Sequence, residues 1–231
     1  MRARGSRVGW LAGLLAAPAL AMGAGTASVQ NEGQTVDVAW ESQSKARIDP
    51  QGRPGYLVMR DDKLYSVSTR GNRTMVMDLT AMAGMMGAMR GQMGGQGPST
   101  SPGPEEAVEV ESMGATGDSE VVAGIQGEVY EVRWRDKDGQ LHTDQAVVSD
   151  NPVAVELAAV MEEVSRTFAE AMDKDHSGAV QSALSDRGLG ILRYDDMHLT
   201  EIAEESPGAG AFELPAEPMD PSDMGGMPGV P

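Results

Sequence analysis

The chain has 231 residues, a formal net charge of -17 and a sequence pI near 4.4. Its 18 Lys and Arg lie scattered among 35 Asp and Glu, which excludes the clustered basic face that grips a phosphate backbone; neither nucleic acid nor an anionic membrane surface is an expected partner. There is no cysteine, hence no disulfide framework, no thiolate nucleophile and no expected lipid attachment through a cysteine, and the fold must rest on its core alone.

The opening residues 1–21, MRARGSRVGWLAGLLAAPALA, set Arg2, Arg4 and Arg7 ahead of an apolar run that closes on Ala19 and Ala21. This is the pattern of a secretory signal peptide cut after Ala21. The run is about 14 residues, short of the ~20 that cross a bilayer, and no later segment is long or apolar enough. The expected product is exported and soluble, periplasmic or extracellular. Residues 22–33 are expected to be a flexible N-terminus, followed by a single domain over 34–215.

From Thr35 the chain alternates in short units, TVDVAWES, SKARIDP and GYLVMRDDKLYSVSTRGNRTMVMDL. Asp61-Asp62 and Arg70-Gly71-Asn72 fall at hairpin spacing, and a meander of about five antiparallel strands is expected. Trp40, Tyr56 and Tyr65 are assigned to the core or a sheet face.

After Leu79 the texture changes. Met82, Met85, Met86, Met89 and Met93 recur at the spacing of one helix face, yet Gly84, Gly87 and Gly91 each cost such a helix about 1 kcal/mol relative to Ala. The Gly/Met/Pro-rich stretch 91–118 is expected to be disordered. Strands resume from Ser119 in SEVVAGIQGEVYEVRWRDKDGQLHTDQAVVS, where VYEVRW and LHTDQAVV are joined by a turn containing Asp138-Gly139.

The clearest helix starts after Asn151, a capping residue, with Pro152 at its first position, and runs to about Asp173. Leu157, Met161, Val164, Phe168 and Met172 form its apolar stripe, and Glu162 is expected to pair with Arg166 one turn on. AVQSALSD reads as a second, short helix; LGILRYDD and MHLTEIAEE as two more strands; residues 216–231 as a disordered tail. Strands, a helix pair and strands again predict an α+β fold in which an antiparallel sheet carries helices against one face.

Three chemistries bear on this frame. Asp173, Asp175 and Ser177 occupy positions 1, 3 and 5 of a calcium loop with Gly178 at the sharp turn, but Leu184 stands where the bidentate Glu belongs, so calcium binding no tighter than millimolar is expected. The simpler reading of these residues is a helix C-terminus capped by a left-handed Gly178. The methionine cluster has soft sulfur ligands suited to Cu(I), which makes a cation- or copper-binding envelope protein the alternative function. His142, His176 and His198 are far apart, and no nucleophile elbow or phosphate-binding loop occurs. No catalytic residue is assigned, no enzyme activity is expected, and no cofactor is implied.

The order of elements, with KARIDP, the hairpins of GYLVMRDDKLYSVSTRGNRTMVMDL, VVAGIQGEVYEVRW and FELP, resembles an uncharacterised family of exported bacterial proteins whose members look like the periplasmic lipoprotein carriers. The resemblance covers Thr35 to Pro215. It implies a curved antiparallel half-barrel with one long and one short helix packed on its concave face, and a lipid or other hydrophobic small molecule as ligand. On that reading Met85, Met86, Met89, Phe168 and Met172 are the ligand-binding candidates. The oligomeric state is left open.

Overall fold

The computed structural model describes residues 23–71, 73–82, 109–136, 138–171 and 178–219. The strands are β1 (Gly25–Asn31), β2 (Gln34–Ser42), β3 (Lys45–Pro50), β4 (Tyr56–Arg60), β5 (Lys63–Arg70), β6 (Arg73–Asp78), β7 (Glu109–Val122), β8 (Ile125–Arg135), β9 (Leu141–Ser149), β10 (Gly190–Tyr194) and β11 (Met197–Ala203). Helices α1 (Pro152–Ala171) and α2 (Ala179–Ser185) lie between β9 and β10.

All eleven strands form one open antiparallel sheet in the order β6-β5-β4-β3-β2-β1-β11-β10-β9-β8-β7. Each half is a meander built from neighbouring strands. The pairing that fuses them is non-local, Thr26 opposite Ala203 and Val29 opposite Leu199. Local turn chemistry explains the hairpins: Glu32-Gly33, Asp61-Asp62 and Ala123-Gly124 hold positive φ at both central residues, the requirement of the two-residue turn whose twist matches paired strands.

The β7–β11 half is rolled. Four strand spacings would separate β7 from β11 by about 19 Å in a flat sheet, yet Cα atoms of the two strands come within 8 Å. Arg193 on β10 also reaches Glu120 on β7 across two intervening strands, Nη2 to Oε2 2.9 Å. Along β8 the buried side switches: Val129 joins the main core, whereas Tyr130, Val132 and Trp134 pack in a second cluster with Ala146, Val148 and Tyr194 and with Val180 and Leu184 of α2. Adjacent strand residues point to opposite faces, so β8 is sheltered on one side and then on the other.

The main core joins Val38, Trp40, Met59 and Leu64 of the sheet to Val153, Leu157, Val160 and Val164 of α1. Those helix positions recur at i, i+4, i+7 and i+11, one face of the helix, and each buried Val or Leu contributes about 1.5–3 kcal/mol. Asn151 caps the helix as its sequence suggests, with Oδ1 accepting from Val153 N at 3.1 Å. A third cluster, Val58, Tyr65, Val67 and Val76, is covered by Phe212 of the C-terminal segment.

Several expectations change. The first meander has six strands, because Gly25–Asn31, inside the stretch expected to be flexible, forms β1. The stretch 91–118 contains the start of β7 from Glu109. Met219, inside the expected tail, donates its N–H to Val76 O at 2.8 Å on the outer edge of β6. Arg166 pairs with Glu163 and Glu170 rather than Glu162; Glu162 instead accepts from Ser182 and Ser185 of α2 at 3.3 and 2.9 Å. Gly178 has φ -73° and precedes α2 as its N-cap, so it is no left-handed cap of the long helix.

Candidate functional site

The layer between α1 and the sheet is largely apolar, and among the described residues it holds one buried side-chain polar atom without a partner. Trp40 is fully buried in the main core, and among the described residues its indole Nε1–H has no acceptor. A buried donor left without a partner costs roughly 1–3 kcal/mol, and most such groups in native proteins have one. The ring is held by its cross-strand neighbour. Gly25 lies opposite Trp40, and a Cβ there would sit 2.2 Å from Cζ2 and 2.7 Å from Cε2, the carbon that bears Nε1. Only glycine lets the indole lie over β1 in this way.

The two ends of α1 are held differently. At the start, the main chain of Ala154 rests so closely on β10 that a Cβ at Gly190 would be 2.3 Å from its carbonyl carbon and oxygen, and Glu156 Oε1 accepts from Gly23 N at 2.7 Å. Toward the far end the polar link to the sheet is weak, Thr167 Oγ1 to Met59 Sδ at 4.0 Å. Phe168 beside it is 46% exposed.

A second assembly combines three strands of the rolled half. Trp134 Nε1 and Tyr194 Oη both donate to Asp144 Oδ2, at 2.6 and 2.7 Å. Burial, and then the Asp144 carboxylate, hold the Tyr194 phenol well above its ordinary range. His142 stacks on Trp134 with ring centroids 4.3 Å apart, and its Nε2 lies 2.8 Å from Asp136 Oδ2. That hydrogen bond holds the Asp136 carboxyl below its ordinary value, assisted by the amides of Gln140 and Asp138. Every partner is internal to the network, which suits it to fixing the β8–β9 hairpin against β10.

A groove of about 440 Å³, lined by both apolar and polar groups, lies over β1, β2 and β3 and is bordered by Pro207, Gly208 and Ala211. Asp37, Arg47 and Asp49 reach it from the face opposite Val38 and Trp40. Its charges are largely paired: Ser28 donates to Asp37 at 2.6 Å, and Arg47 bonds Asp49 at 2.8 Å while stacking 3.6 Å above the Tyr56 ring. Among the described residues no group of three His, Cys, Asp or Glu is placed to hold a metal ion, and no helix is long and apolar enough to cross a membrane.

Of the ligand-binding candidates, Phe168 is the one described. Met85, Met86, Met89 and Met172 lie outside the described residues, as do Asp173, Asp175 and Ser177 of the calcium-loop pattern. Leu184, at the position where that loop needs its bidentate carboxylate, is fully buried in the second core cluster. The orphaned Trp40 donor was missed from sequence because a tryptophan in an alternating strand signals only a core position. Gly25 carried a trace of it, a glycine directly before a strand-forming run. Comparison with known proteins gave no match to any family model, curated protein or solved structure.

Proposed function

We propose that this is an exported, non-enzymatic carrier that takes up a lipid or another hydrophobe between α1 and the sheet, the covered side being the concave face of a half-barrel. The observation that carries the reading is a mismatch of lengths. A helix of 20 residues is about 30 Å long, whereas eleven strands measure about 48 Å along the curve of the sheet at their usual spacing. The helix therefore shelters part of the face, and partly buried Val29, Val36, Leu57, Leu79 and Ile202 flank the sealed core. Its pinned N-terminal half and weakly tied far end favour opening from the Phe168 end, where a hydrophobe would replace helix side chains against the sheet.

The test uses the absence of native cysteine. Cysteines replacing Met59 and Thr167, bridged by a short thiol-specific crosslinker, would tie the far end of α1 to β4. Uptake of a fluorescent acyl probe is expected before bridging and not after it. Equal uptake by the bridged protein, or no uptake by the native chain, would overturn the proposal. Native mass spectrometry of protein isolated without chelator separates a bound hydrophobe from a bound metal.

A further inference from the structure

Resting on the carrier reading, the orphaned indole specifies what the hydrophobe must contain. We infer that the ligand held under α1 bears a neutral carbonyl, that of an acyl ester or acyl amide, and that Trp40 Nε1–H donates a hydrogen bond to it.

The donor is fully buried and, among the described residues, without an acceptor; its surroundings are the apolar side chains of the main core; and it is held in place because Gly25 lets the ring lie against β1. A pure hydrocarbon would leave the N–H unpaired. An ionised fatty acid would pair it, but would bring a charge among the apolar side chains of the main core, and the carboxylate that α1 sets against the start of the sheet, Glu156 on Gly23 N, is of the same sign. Burying such a charge is far more costly than burying a neutral carbonyl. A carbonyl linked to an alkyl chain satisfies both requirements: the chain replaces core contacts, and the oxygen takes the hydrogen bond of the unpartnered indole.

The experiment is an NMR titration of the full chain with four compounds of equal chain length: an alkane, a methyl ester, a primary amide and a free fatty acid. Trp40 gives an indole N–H resonance assignable with Trp40→Phe, and Trp134, already bonded to Asp144, serves as an internal reference. Ester and amide are expected to move the Trp40 resonance downfield and slow its exchange with water, while the alkane leaves it in place and the free acid binds roughly tenfold more weakly than the ester near neutral pH. Trp40→Phe is expected to lose about tenfold for the ester and little for the alkane. If ester binds, as shown by shifts elsewhere, but the Trp40 indole does not respond, the inference is overturned and the carrier reading stands. If none of the four binds, the carrier reading itself fails. The wild-type titration decides the matter even where the variant folds poorly.

Discussion

Tyr194 donates its phenolic hydrogen to Asp144 across the β9–β10 pair at 2.7 Å, on the same oxygen that Trp134 Nε1 reaches at 2.6 Å. Replacing it, Tyr194→Phe, leaves the ring packed but removes one of two donors to a carboxylate, and is expected to cost about 1.5–3 kcal/mol by denaturant unfolding. The pH dependence follows from the raised phenol. A group that holds its proton more tightly in the folded state stabilises the fold fully below its unfolded value, here the ordinary 10.0, and that stability drains away as pH rises above it. Wild type is therefore expected to lose stability above pH 10, and Tyr194→Phe to lose less over the same interval. Parallel alkaline curves would count against the assignment.

Asp136 acts at the acid end. Its carboxyl is depressed below the ordinary 3.8 by His142 and by amides of its own turn, so its contribution is present above that value and is lost as pH falls through the lower, folded one. Asp136→Asn keeps an acceptor for the Asp138 and Gln140 amides but removes the anion facing His142. The wild-type hairpin is expected to loosen in acid, and the variant's to be weaker at neutral pH and flatter below pH 4. Fluorescence of Trp134, on which His142 stacks, reports the change.

At Gly190 the obstacle to a side chain is the main chain of α1 itself. Gly190→Ala is expected to destabilise by about 3 kcal/mol, the upper end of overpacking, because neither Ala154 nor the strand can rotate away. Gly208→Ala, with nothing within 4 Å of the added carbon, is the matched control and is expected to be nearly neutral. Equal melting temperatures for the two variants would mean that the helix is not seated on β10 as described.

How much of this was legible beforehand depends on whether the deciding interaction is local. The β4–β5 hairpin announces itself through Asp61-Asp62 between alternating runs, and α1 through Asn151, Pro152 and its apolar stripe; each signal lies within one turn or one helix. β1 was hidden because what makes GTASVQN a strand is its insertion between β2 and β11, the latter more than 160 residues away. The part of β7 before Ser119 was hidden for another reason. As an edge strand largely exposed along its length, it has no side that must be apolar, so Gly, Ser and acids mask it. The site was less legible still, since an unpartnered indole is a statement about every atom around it.

Glu162 shows how the same residue reads differently once its neighbours are known, and it leads to the last expectation. In sequence its natural partner is Arg166, four residues on; in the fold Arg166 turns to Glu163 and Glu170, and Glu162 becomes the acceptor that ties α2 to α1 through Ser182 and Ser185. Glu162→Ala removes both acceptors and is expected to cost about 1–2 kcal/mol, a typical sum for hydroxyl donors to a partly exposed carboxylate. If α1 opens from its far end, this tie lies on the side that must move, because Glu162 sits past the helix midpoint and α2 remains packed through Val180 and Leu184 on the second core cluster. Loosening it is then expected to speed uptake of an acyl probe in stopped-flow mixing, with the equilibrium affinity rising because the closed state has been weakened relative to the open one. Lower stability with no change in uptake rate would show that α1 and α2 move as one body or that neither moves, and the opening would have to be sought elsewhere along the sheet.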